Sequence, residues 1–84
     1  MQHLQYSVLE EGAKNEATAH YEGQVIRVVT GYNIIGDDWP FHIYIKDASG
    51  IERKLQMQPL PSAPSILAAW EAAFRLGQQR IDAG

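Results

Sequence analysis

The sequence predicts an α+β fold: a three-stranded antiparallel β-meander, with room for a further N-terminal strand, packed on one long C-terminal helix. Three observations predict it. One stretch near the C-terminus has a long helical period, the middle of the chain shows strand-type alternation broken by turn residues, and 84 residues allow one core. A single domain over 1–84 follows, with an N-terminal segment at 1–22, the meander at 24–58 and the helix at 63–81.

At the N-terminus, Leu4, Tyr6 and Val8 alternate with Gln5 and Ser7, the pattern of a short half-buried strand. A helix ending at Gly12 uses Leu4, Val8 and Leu9 and competes with it. Glu10 to Glu22 is polar and rich in small residues. It reads as a loop, with an extended piece at Ala17–Tyr21 as the variant.

From Gln24 to Tyr32 the chain is dense in β-branched residues. Ile26, Val28, Thr30 and Tyr32 share one face; Val25, Arg27, Val29 and Gly31 share the other. Gly36-Asp37-Asp38 breaks the run, and Pro40 stands just inside the next strand, where its missing N–H is best tolerated. In that strand Phe41, Ile43 and Ile45 alternate with His42, Tyr44 and Lys46. Asp47-Ala48-Ser49-Gly50 then has the residues of a type I turn with a glycine bulge. Taken literally, the turn pairs Lys46 with Glu52, Tyr44 with Lys54, Ile43 with Leu55 and Phe41 with Met57. The third strand, Ile51 to Gln58, ends at Pro59-Leu60-Pro61.

Ser62 is the expected helix N-cap, with Pro64 in the first turn. Ile66, Trp70, Ala73, Gly77 and Ile81 form one apolar stripe on a 3.6-residue period, with Leu67 and Phe74 beside them. Glu71, Arg75, Gln78 and Gln79 fall on the opposite face. The stripe covers Ile26, Val28, Phe41, Ile43, Leu55 and Met57. Gly77 lets the helix backbone approach the sheet closely, since a mid-helix glycine otherwise costs about 1 kcal/mol.

Tyr21-x-Gly23-x-x-Ile26, Trp39, Glu71-Ala72 and the ending Gly77-x-x-x-Ile81-Asp82 carry one resemblance. Over about Tyr21 to Asp82 the chain resembles small proteobacterial β-β-β-α domains of unknown function, whose ending is close to Gly-Arg-x-Trp-Ile-Asp. Gln78 stands here in place of that arginine and Arg80 in place of that tryptophan. The resemblance implies the fold and assigns no activity.

Composition narrows the function classes. At 45% hydrophobic and 20% charged the chain has enough apolar residues for a core, and without cysteine it has no disulfide frame, thiolate metal site or cysteine nucleophile. The N-terminus lacks a basic region followed by an apolar run, and no stretch is long enough to span a membrane. A cytoplasmic protein is expected. A net charge of −3 gives no global attraction to nucleic acid or acidic lipid, so any such attraction must be local.

The chemistry-bearing residues do not assemble a reaction. His3, His20 and His42 share no metal-ligand spacing. Asp37-Asp38 reads as turn chemistry, although an acid/base pair with a histidine is the enzymatic alternative. Ser49, Ser62 and Ser65 lack a nucleophile-elbow context, and no glycine-rich phosphate loop precedes a helix. Pro59-x-Pro61-x-x-Pro64 delivers the chain to the helix rather than forming a polyproline ligand. No enzyme, cofactor or metal is expected.

The informative surface is the sheet face turned away from the helix. It displays Arg27, Val29, His42, Tyr44, Lys46, Lys54 and Gln56, with Glu52 among them. Arg27, Lys46 and Lys54 against Glu52 leave a local excess of two positive charges. Val29, Tyr44 and the open edges suit a protein contact, including a homodimer through the sheet. An aromatic ring among cations also suits a nucleic-acid platform. Protein association is the first expectation, nucleic-acid binding the second, and burial against the N-terminal segment a variant of the first.

Overall fold

The computed structural model describes residues 5–10 and 14–84. Strands β1 (Ser7–Glu10), β2 (Lys14–Tyr21), β3 (Gln24–Gly31), β4 (Trp39–Lys46) and β5 (Glu52–Lys54) lie side by side in that order, all antiparallel. A two-residue strand, β6 (Ser62–Ala63), pairs with the first residues of β4, and helix α1 (Ile66–Ala83) closes the chain. The α+β class holds, and the meander is wider than three strands. The alternative helix near the N-terminus is replaced by β1; Leu4, Gly12 and His3 lie outside the described residues.

The stretch Glu10–Glu22, expected as a loop, is mostly β2. Asn15, Ala17 and Ala19 turn inward and are buried, while Glu16, Thr18 and His20 alternate with them. Alanines make a faint hydrophobic signal, yet next to a helix bearing Trp70 and Phe74 small residues suffice to complete the core. Glu22 (φ 51°) and Gly23 (φ 75°) make the tight turn into β3, both in the left-handed region that a two-residue hairpin requires.

The β4–β5 register is the one that the Asp47–Gly50 turn dictates: Tyr44 faces Lys54, Ile45 faces Arg53 and Lys46 faces Glu52. Gly50 has φ 93°, Gly50 N donates to Asp47 O at 3.0 Å, and Asp47 N donates to Ile51 O at 2.9 Å. Leu55 N still donates to Ile43 O, and there the third strand stops short of Gln58. The chain swings out through Met57 to Leu60 and returns, so that Phe41 N donates to Pro61 O at 3.1 Å. Phe41 therefore faces Pro61 instead of Met57. Pro59 and Pro61 lack N–H groups and cannot continue a ladder as donors, which accounts for the break.

Because Ser62 and Ala63 pair with Pro40 and Trp39, the helix cannot begin there. It begins at Ile66 with Ser65 as N-cap, the Ser65 Oγ accepting from Ala68 N at 3.1 Å. Ala69, Trp70, Ala73, Phe74, Gly77 and Gln78 are buried against the sheet. Two phase expectations change: Leu67, in the first turn, is 58% exposed, and Gln78, placed on the polar face, is only 8% exposed. Gly77 explains the second. A Cβ there would lie 2.8 Å from Ile26 Cγ2, so the helix backbone rests on β3 and the flank of the stripe is buried with it. Tyr6, ahead of β1, stacks on Phe74 with ring centroids 4.9 Å apart, which ties the N-terminal segment to the helix side of the sheet.

Candidate functional site

The registers place Thr18, Arg27, Tyr44 and Lys54 in one row across β2, β3, β4 and β5 on the face away from α1. Glu16, Val29 and His42 form the row on one side of it. His20, Val25, Lys46 and Glu52 form the row on the other. Six of the seven sequence-predicted site residues thus share this face: Arg27, Val29, His42, Tyr44, Lys46 and Lys54. Gln56 lies past β5 in the outward swing. Among the described residues, β1 and β2 extend the sheet sideways rather than covering this face.

Arg27 organises the centre. Its Nε and Nη2 donate to Glu52 Oε2 and Oε1 at 3.0 and 2.9 Å, a two-pronged fork, and Nη1 donates to Glu16 Oε1 at 2.9 Å. The guanidinium carbon sits 4.2 Å from the centroid of the Tyr44 ring. These hydrogen bonds, Glu52 first, push the Arg27 pKa further up against the opposing effect of burial. The same fork holds the Glu52 carboxyl below its ordinary range.

Glu16 was not anticipated, since its strand reads as a loop. The alternation of Glu16, Thr18 and His20 with Ala17 and Ala19, ahead of Glu22-Gly23, was the available signal. Its presence changes the electrostatics. Arg27, Lys46 and Lys54 now stand against Glu16 and Glu52, so the excess falls to one charge among these residues. Lys46 and Lys54 are exposed, whereas Arg27 already commits three of its N–H groups to Glu16 and Glu52, and those carboxylates offset its charge toward a phosphate.

Acid should weaken this network. A carboxyl whose folded pKa is depressed binds its proton less readily in the folded than in the unfolded state, so its contribution is present above the unfolded pKa and lost as pH falls through the folded one. Asp47 is depressed as well, by the Ser49 hydroxyl first and then the Ile51 N–H, and has the same sign. Denaturant unfolding from about pH 6 down to about pH 3 should show falling stability, and Glu52→Gln should flatten that slope by roughly 1 kcal/mol or less. A stability that rises on acidification would contradict the network.

At the β3–β4 end the face becomes apolar. Val29, Gly31, Tyr32, Pro40 and His42 line a shallow hollow that leads to the hairpin tip. The tip is pinned at its base: Asn33 N donates to Asp38 O at 2.8 Å, and Asp38 N returns to Asn33 O at 3.3 Å. Ile35 N donates to Asn33 Oδ1, and the Tyr32 hydroxyl donates to Asp37 Oδ1 at 2.6 Å. The Tyr32 ring also leans on Trp39, centroids 5.4 Å apart. This scaffold holds Ile34 at 80% and Ile35 at 94% exposure. Two adjacent isoleucines inside a stretch of turn residues are the signal in the sequence.

Asp37 and Asp38 belong to this tip, and among the described residues no three His, Asp or Glu side chains are grouped to hold a metal. Within the described residues no helix is long and apolar enough to cross a membrane. Comparisons with known protein families, curated proteins and solved structures give no match.

Proposed function

We propose that the chain is a small non-enzymatic protein-interaction domain of the cytoplasm, docking through the β3–β4 hairpin tip and the adjoining apolar end of the outer sheet face. One observation carries the reading: Ile34 and Ile35 are held almost wholly in water by a loop whose backbone is already fixed. Two adjacent isoleucines in solvent contribute nothing to the core. Removing them from water gains about 1.5–3 kcal/mol per side chain, and a pre-pinned loop gives up little entropy on binding.

The charges support a protein partner over the alternatives. Asp37 and Asp38 at the tip repel phosphate and acidic lipid headgroups alike. Nucleic-acid binding through the outer face draws less support, since the central cation is held by two carboxylates.

A photo-reactive amino acid at position 35, with one at exposed position 71 on the helix as control, tests the proposal in cells. Discrete protein adducts from position 35 are expected. Adducts to lipid or nucleic acid, or none above the control, would overturn it.

A further inference from the structure

A second apolar feature lies beyond β5, where the chain swings away from the sheet. Leu55, Met57, Pro59 and Pro61 from the chain beyond β5 and Leu76 from α1 line a shallow, mostly apolar groove, with Arg80 also in its lining. The two features complement each other. The tip carries two exposed isoleucines followed by the acidic Asp37, and the groove is apolar with a basic edge. The tip is pinned across Asn33 and Asp38 and leads straight into β4 at Trp39, whereas the groove of the same chain lies beside Phe41 to Ile43, about 7–13 Å further along the strand at ~3.3 Å per residue.

Resting on the protein-docking reading, we propose that the occupant of the groove is the hairpin tip of a second copy of this chain, exchanged reciprocally about a two-fold axis. Ile34 and Ile35 of each copy enter the other's groove, and Asp37 meets Arg80. Reciprocity matters physically. A one-way tip-to-groove contact leaves a free tip at one end and a free groove at the other and grows into a filament, while the two-fold exchange satisfies both and stops at a dimer. Two small patches per copy make the dimer weak and reversible.

Sedimentation equilibrium over a concentration series reaching about 1 mM tests it, with circular dichroism confirming that each variant is folded. The native chain should move from monomer to dimer. Ile35→Asp, with a damaged tip, and Leu76→Asp, with a damaged groove, should each stay monomeric. Mixing them in equal amounts should restore a dimer weaker than the native one, because one intact tip then meets one intact groove. A native chain that stays monomeric, a Leu76→Asp chain that dimerises normally, or a mixture that stays monomeric would overturn the exchange. If position 35 then still gives an adduct to a different protein, the docking reading stands and only the second copy is excluded as its partner. No adduct and no dimer together would remove both.

Discussion

Replacing Trp70 with alanine is expected to destabilise the fold by about 3–5 kcal/mol. The indole is 4% exposed, in the N-terminal part of the stripe that α1 lays on the sheet, and shares the core with Ala17, Ala19, Phe41 and Phe74. Tyr6 reaches it from the N-terminal segment, ring centroids 6.2 Å apart. Removing the indole therefore loosens both the helix and the anchor of β1. Denaturant unfolding should show the midpoint falling with the slope retained. A loss below about 1 kcal/mol would mean that α1 presents a different face to the sheet.

Gly77→Val should cost about 1–3 kcal/mol, although valine is the better helix former of the two. The reason is Ile26: a Cβ at position 77 would lie 2.8 Å from its Cγ2 and 3.1 Å from its Cδ1, and that side chain is fully buried. The contact is testable as a cycle. In an Ile26→Ala background the valine fills vacated volume, so its effect should shrink or change sign. Equal cost in both backgrounds would locate the strain elsewhere.

These two residues show how much of the fold was legible. The stripe through Trp70 and Gly77 and the face of Ile26, Val28, Phe41 and Ile43 alternate strongly, and each appears in the structure where its period puts it. The Asp47–Gly50 turn set the β4–β5 register for a local reason, the left-handed glycine. What did not show were elements whose inward residues are small or whose backbone cannot donate. β2 faces inward with alanines, and the break after Leu55 is imposed by prolines. Gln78 is buried by the close approach at Gly77, which a helical wheel does not contain.

The candidate site divides in the same way. Arg27, Tyr44 and the flanking lysines follow from strand alternation, whereas Glu16 depends on a strand that alternation marks faintly. The hairpin tip depends on a loop conformation set by Asn33, Asp37 and Asp38 hydrogen bonds, which no periodicity encodes. Its two isoleucines are the most exposed large apolar side chains among the described residues.

The proposed docking therefore lies at the end of the sheet rather than at its charged centre. The direct measurement is the ratio of protein adduct at position 35 to that at position 71 under the same illumination. A defined protein band from position 35 with none from position 71 is the expected result. Equal labelling at the two positions, or label from position 35 found only in lipid or nucleic acid, would contradict it.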